Sequence, residues 1–133
     1  VKGVKVRPSN DASGDTGICI MFYLEKSSLV QSFAEALTAE GVPSAGVFNS
    51  GLPDWHIYAH WHHILEKKTP TPEGCPWTCP YHKGPEVEYS EDMNPNTLEY
   101  LSRVIHIDVP PQMSEQDCDQ TAAAIRKVAK ALL

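Results

Sequence analysis

The sequence lacks the features that direct a protein to a nucleic acid or into a membrane. Its 17 acidic residues outnumber its 11 basic ones, giving a formal net charge of -6, and no run of Lys and Arg is longer than Lys67-Lys68. Binding to nucleic acid or to an anionic bilayer surface requires a basic face that neutralises phosphates. No apolar run is long enough to span a bilayer. We therefore predict no nucleic-acid partner and no membrane partner.

The sequence contains few cysteines. The four cysteines, Cys19, Cys75, Cys79 and Cys118, are too scattered for a secreted disulfide scaffold. Cys19 and Cys118 lie in apolar strand-like and helix-like runs, which is typical of reduced, buried thiols. The opening residues 1–4 do not resemble a signal peptide. These features favour a cytoplasmic protein. Because the chain opens without Met inside a strand-like run, we also expect it to be part of a longer protein.

The first half predicts two strands and a helix within a single domain covering residues 1–133. Thr16–Leu24 is continuously apolar, which is typical of a strand covered on both faces. Ser27 is the expected N-cap of a helix that runs to about Glu40 and ends at Gly41. A second strand is predicted over Val42–Phe48. The expected apolar stripe of the helix consists of Leu29, Phe33, Ala36 and Leu37.

The second half begins with a long excursion, Asn49–Asp92, which is rich in Pro, Gly, His and Trp. Ordered loops of this length are usually functional, and Trp55–Leu65 is expected to be short helix or irregular structure. Asn94 and Pro95 predict the start of a helix, and Val104–Val109 predicts a third strand. The remaining predictions are a capping box from Ser114 to Asp117 and a closing helix with apolar positions Ala122, Ile125, Val128, Ala129 and Leu132. This order predicts an α/β (α+β) fold with about three strands packed against helices.

Two segments resemble one family. The run Arg103–Asp117 (RVIHIDVPPQMSEQD), followed by an Ala-rich helix, resembles the C-terminus of DegT/DnrJ/StrS aminotransferases, where a strand ending in Pro leads to an "mSeeD" helix start. The stretch Gly14–Phe33, followed by Glu35–Val42 (EALTAEGV), is similar to the strand, helix and "L.aeGV" turn of the family. The resemblance implies the small C-terminal domain of fold-type I aminotransferases, which depend on pyridoxal phosphate.

Family members move an amino group from glutamate or glutamine to a keto sugar or nucleotide sugar, and they act as homodimers. The resemblance implies that the reactive lysine and the cofactor-binding groups belong to a large domain absent from this chain. No lysine here follows Ser or Thr, as the reactive lysine of the family usually does, and there is no Gly-rich phosphate loop. We therefore assign no catalytic residue, and we expect this chain alone to be inactive and to bind no pyridoxal phosphate.

The densest candidate site is the run from Asp54 to His63 (DWHIYAHWHH). The region after the second strand lies near the active-site mouth in the family, so the resemblance suggests that His56, Tyr58 and His60 bind substrate. Imidazole and phenol groups can bond to sugar hydroxyls, and aromatic rings can stack on sugar faces. The alternative is that these side chains only hold the long loop in place.

A rival interpretation is a stand-alone metal- or ligand-binding module built on the His/Cys-rich loop. His56 and His60 are four residues apart, and Cys75, Cys79 and His82 offer further donors. Zinc sites more commonly contain a C-x2-C pair matched by a second pair, so we predict no bound metal. The two thiols could pair with each other or stay free.

The central strand also suggests an interaction surface. Ile18, Ile20 and Phe22 alternate with Cys19, Met21 and Tyr23, so both sheet faces require cover. The two helices that start near Ser27 and Ser114 can cover one face, and the long loop, with its three tryptophans, must partly cover the other or face a neighbour. We therefore expect an exposed apolar surface through which the chain self-associates.

Overall fold

A computed structural model describes residues 1–48 and 53–133. The chain divides into two compact units, one formed by Val1–Leu52 together with Glu99–Leu133 and the other by Pro53–Leu98. Within the described residues the structure is mixed α+β, as predicted, with four strands and four α-helices. The first four residues of the predicted excursion, 49–52, lie outside the described residues.

The first unit contains an open antiparallel sheet with the strand order β1-β2-β4-β3. Its strands are β1 (Val4–Val6), β2 (Cys19–Leu24), β3 (Ala45–Gly46) and β4 (Val104–Asp108). The prediction of about three strands was one too few. Three residues, with a lysine between two valines, give β1 too little periodicity to distinguish it from an extended tail.

Two predicted strands are shorter in the structure. The first starts at Cys19 rather than Thr16, because Gly17 has φ +64°, a left-handed conformation that a strand cannot contain. The second is reduced from Val42–Phe48 to β3. The Val42 N–H is used to close the preceding helix, since it donates to the Leu37 carbonyl, and Pro43 has no N–H to offer a ladder.

The helices largely follow the predicted pattern. They are α1 (Val30–Ala39), α2 (His62–Leu65), α3 (Pro95–Ser102) and α4 (Glu115–Leu132). Ser27 is not the N-cap of α1, so that prediction was wrong. Residues Ser27–Leu29 form a 3-10 turn, and Leu29 occupies the N-cap position without a side-chain bond. Such turns often precede an α-helix and shift its start along the chain.

Three other helix predictions are confirmed. Gly41 ends α1 with φ +85°, and its N–H donates to the Thr38 carbonyl at 3.0 Å. Pro95 is the first residue of α3. The Trp55–Leu65 segment contains a 3-10 turn followed by α2. None of the helices in the described ranges combines the length and apolar character needed to cross a bilayer.

The core lies between one face of the sheet and helices α1 and α4. The rings of Phe22 and Phe33 meet edge to face with 5.8 Å between their centroids, a favourable arrangement for buried aromatics. Other buried members of this core are Leu24, Val30, Leu37, Ile105, Ile107, Ala124, Val128 and Ala129. The predicted stripe of α1 is confirmed at Phe33 and Leu37, whereas Leu29 and Ala36 lie at the edge of the core.

The opposite face of the sheet is covered less than the apolar run predicted. Cys19, Met21 and Tyr23 are only half-buried. At the end of the helix-covered face, Ile20 is 36% exposed and the preceding Ile18 is 70% exposed. The prediction that both faces of β2 are covered was therefore wrong, because α1 and α4 pack on the Phe22 and Leu24 end of one face.

The predicted capping box of α4 is present. The Asp117 N–H donates to the Ser114 hydroxyl at 3.2 Å, and the Ser114 N–H donates to the Asp117 carboxylate at 2.8 Å. Further along α4, Val128 and Ala129 are buried as predicted, but Leu132 is exposed because the helix ends beside it.

We expect Ser114→Ala to lower the free energy of unfolding by about 1 kcal/mol, because one helix N–H loses its acceptor. Chemical denaturation of the whole chain measures this, with Ser114→Asn as the control that retains a cap. The Ser114 hydroxyl and N–H lower the pKa of Asp117 from its ordinary 3.8. This stabilisation is therefore present at neutral pH and is lost as the pH falls through the lowered pKa. An equal loss in both variants would contradict the capping role.

Candidate functional site

Asp54 organises the segment that contains two of the predicted substrate-binding residues. One carboxylate oxygen, Oδ1, accepts the His56 N–H at 2.9 Å and contacts His56 Nδ1 at 2.8 Å. The Asp54 carbonyl lies 2.8 Å from His60 Nδ1. The pKa of the Asp54 carboxyl is lowered, mainly by the hydrogen bond that the carboxylate accepts from the His56 backbone N–H. One aspartate thus orients both imidazoles.

These contacts fix which nitrogen of a neutral imidazole carries the proton. A carboxylate and a carbonyl oxygen only accept hydrogen bonds, so Nδ1 of His56 and of His60 must be the donor. Nε2 of a neutral His56 is then an acceptor, and the side chain is 97% exposed. The His56 ring can therefore accept a hydrogen bond from a ligand hydroxyl without giving up its contact with Asp54.

Tyr58, the third predicted substrate residue, is engaged within the protein. Its hydroxyl donates to the Glu91 carbonyl at 2.9 Å and accepts the Asn94 N–H at 3.0 Å. Both bonds link the start of the loop to residues more than 30 positions later. The structure thus brings His56 and His60 together at Asp54, and it favours a loop-holding role for the Tyr58 hydroxyl.

Two tryptophans provide aromatic surface beside the histidines. The Trp61 indole N–H donates to the Trp55 carbonyl at 2.6 Å. This hydrogen bond fixes the Trp61 ring. Both rings remain exposed. Exposed aromatic faces next to hydrogen-bonding side chains are suited to polyhydroxylated ligands. Sequence reasoning named the aromatic character of this run but not the bond between the two tryptophans.

The later part of the excursion is held by an ion-pair cluster and an aromatic pair. The Lys67 ammonium lies 2.6 Å from Glu88 and 3.0 Å from Glu86, and Trp77 meets Tyr89 edge to face at 5.7 Å. Glu88, followed by Glu86, raises the pKa of Lys67. Two glutamates of the acidic run 86–92 thus pair with one lysine.

Cys75 and Cys79 are both free thiols in this excursion. The two thiols are neighbours, whereas the His82 ring nitrogen Nε2 lies 3.3 Å from the Pro85 carbonyl. Nowhere in residues 1–48 and 53–133 do three or more His, Cys, Asp or Glu side chains stand close enough to share a metal ion.

A groove of about 490 Å³ in the first unit was not anticipated from the sequence. It lies between the end of α1, the end of β4 and the start of α4. Its wall includes Glu40, Gly41 and Val42 from one of the segments that carry the family resemblance, and Pro110 and Asp117 from the other. The fold therefore places the two segments beside each other, although about 70 residues separate them.

Two ion-paired lysines, Lys67 and Lys127, do not fit the role of the reactive lysine in a pyridoxal phosphate site. A lysine that forms a Schiff base needs an amine that loses its proton readily, usually through burial or a cationic neighbour. Lys67 has the opposite environment, between two glutamates. Lys127 is held 2.6 Å from Glu40. Neither Lys67 nor Lys127 therefore has the environment of a Schiff-base lysine, and we derive no step through this cofactor.

No protein-family model matches the chain, and a search of curated proteins finds no similar sequence. The function therefore has to be argued from the residues and their arrangement.

Proposed function

We propose that the chain is the C-terminal small domain of a sugar aminotransferase of the DegT/DnrJ/StrS type. The enzyme would act in the cytoplasm on a keto sugar or nucleotide sugar, with glutamate or glutamine as amino donor. The observation that carries this proposal is the groove in which the Glu40–Val42 turn and the Pro110–Asp117 segment meet. Segments that carry a family resemblance are expected to be neighbours if the resemblance reflects a common fold.

Pyridoxal phosphate would be held by another part of the enzyme. This assignment follows from the lysines, since the least exposed of the paired ones, Lys67, is kept charged by Glu86 and Glu88. The role proposed for this chain is to bind the sugar and to support the active site. No catalytic residue is assigned to it.

The proposed sugar contact is His56, with His60 beside it and Tyr58 holding the loop. Asp54 presents the His56 ring to solvent with Nε2 as the hydrogen-bond acceptor. A sugar hydroxyl can donate to this nitrogen while the ring of Trp55 or Trp61 covers an apolar sugar face. Such a site selects a polyhydroxylated substrate through geometry already set by Asp54.

The enzyme is further proposed to be a homodimer. The exposed apolar side chains Ile18 and Ile20 lie at one end of the sheet, where a second subunit would bury them. Isolated exposed apolar residues are common in monomers, but neighbouring ones mark interaction surfaces.

The test uses the complete protein encoded by the natural reading frame, loaded with pyridoxal phosphate and assayed for amino transfer to a panel of keto sugars. We expect His56→Ala to raise KM for the sugar about tenfold, which corresponds to roughly 1.4 kcal/mol and one lost hydrogen bond. The KM for the amino donor should not change. His63→Ala, an exposed histidine of α2, is the matched control and should leave both KM values unchanged.

Two results would count against the proposal. If the complete protein holds no pyridoxal phosphate and aminates no keto sugar, the aminotransferase assignment is wrong. If it does so but His56→Ala and His63→Ala behave alike, the enzyme assignment stands and the substrate role of His56 is wrong.

A further inference from the structure

The loop around Cys75 and Cys79 brings two thiols together by local backbone geometry. The N–H groups of Trp77 and Thr78 both donate to the Gly74 carbonyl at 2.9 Å, which curls the chain into a single turn. Gly74 has φ +81°, and a side chain there would collide with the Thr78 hydroxyl. Cys75 and Cys79 flank this turn, and their thiols are neighbours.

Backbone contacts hold the first thiol's residue in place. The Cys75 N–H donates to the Thr71 hydroxyl at 2.9 Å, and the Cys75 carbonyl accepts from the Thr69 hydroxyl at 2.5 Å. Both bonds come from side chains that precede the turn. The placement of Cys75 next to Cys79 is therefore determined locally, by residues 69–79.

The two sulfurs differ in exposure and in acidity. Cys79 is only 5% exposed, whereas Cys75 is half-buried. The neighbouring Cys75 thiol is the main cause that lowers the pKa of Cys79, followed by the backbone N–H groups of Tyr81 and His82. The Cys79 thiol is in turn the main cause that raises the pKa of Cys75. Because it is the more exposed of the two, Cys75 is the sulfur that a reagent can reach.

We propose that Cys75 and Cys79 form a reversible redox pair that closes to a disulfide by exchange with a low-molecular-weight disulfide. This goes beyond the proposed aminotransferase role and does not depend on it. The pair would be a modification site of the loop, and its substrate class is a small disulfide such as that of a cysteine-containing tripeptide.

The exchange takes place in two balanced steps. In the first, the Cys75 thiol loses its proton to solvent, and its thiolate attacks one sulfur of the small disulfide. A Cys75–S–S–R bond forms, the R–S–S–R bond breaks, and one thiolate leaves. In the second, Cys79 loses its proton to that thiolate and attacks the Cys75 sulfur, releasing the second thiolate, which takes a proton from water. The protein dithiol is oxidised by two electrons, and one small disulfide is reduced to two thiols.

The experiment incubates the reduced, intact chain with glutathione disulfide as the probe, quenches it with acid and alkylates the remaining thiols. Trypsin then yields residues 69–83, which contain Cys75 and Cys79 and no other cysteine. We expect this peptide to lose two hydrogens and to take up no alkyl group. Excess reduced glutathione should reverse the change. The lone thiol Cys118, which was predicted to be buried but is exposed, is the internal control and should end as a free thiol or as a stable mixed disulfide.

Single substitutions test the order of events. In Cys79→Ser, the glutathione adduct on Cys75 should accumulate because the resolving thiol is gone. In Cys75→Ser, Cys79 should react at least about tenfold more slowly than Cys75 does in Cys79→Ser, because it is buried. Circular dichroism checks that both variants fold, and the wild-type peptide result does not depend on them.

Three outcomes would overturn the proposal. The first is a wild-type 69–83 peptide that keeps two alkylatable thiols under conditions in which Cys118 reacts. The second is a stable glutathione adduct on Cys75 that Cys79 does not resolve. The third is a zinc ion, found by elemental analysis, that protects both thiols until it is chelated.

Discussion

Replacing Leu37 by alanine is expected to lower the free energy of unfolding by about 2–5 kcal/mol. Leu37 lies on α1 and is 0% exposed, in the core between the helix and the sheet. Truncation removes buried apolar surface and leaves a cavity, because packed neighbours relax only partly. Urea denaturation of the intact chain, followed by circular dichroism, measures the effect.

The matched control is another helical leucine, Leu132 at the end of α4, which is 38% exposed. Leu132→Ala removes the same atoms but leaves no closed cavity, so its cost should be below about 1 kcal/mol. A similar loss in both variants would show that α1 does not pack on the sheet as described. The comparison therefore tests the placement of α1 rather than the general sensitivity of the chain.

The sequence predicted the elements whose patterns are local and long. Positions Phe33 and Leu37 of α1 repeat with helical spacing, and the Ser114–Asp117 box marks the start of α4. β1 and β3 were missed or misjudged because two or three residues carry no measurable period. Their position is decided by pairing with β2 and β4, which is tertiary information.

The candidate site could be predicted only in its residue types. The sequence indicated His56, Tyr58 and His60, but it could not show that the Tyr58 hydroxyl bonds to the Glu91 carbonyl and the Asn94 N–H. Those partners lie more than 30 residues away. The groove beside Gly41 could not be predicted either, because its walls come from segments far apart in the sequence.

Charging the exposed end of the sheet is expected to abolish self-association. Ile18 and Ile20 are two residues apart, so on an extended strand they point to the same face. The Ile18 carbonyl accepts the Val109 N–H at 2.9 Å, which extends the β2–β4 ladder to this residue. Val6, opposite Phe22 on the neighbouring strand, is exposed on the same face. These three side chains therefore form one apolar surface that the helices leave uncovered.

Sedimentation velocity at several concentrations provides the measurement. We expect the wild-type chain to shift from monomer toward dimer as the concentration rises, and Ile18→Lys to stay monomeric, because a lysine at the interface would have to lose its hydration without a partner. Val87→Lys, which charges an exposed valine of the second unit, is the control and should associate like the wild type. A wild-type chain that is monomeric at all concentrations would remove the basis for the dimer. If wild type and Ile18→Lys associate equally, the dimer contact lies elsewhere on the chain. A buried, unpaired lysine ammonium would cost more free energy than the burial of this small apolar surface could offset.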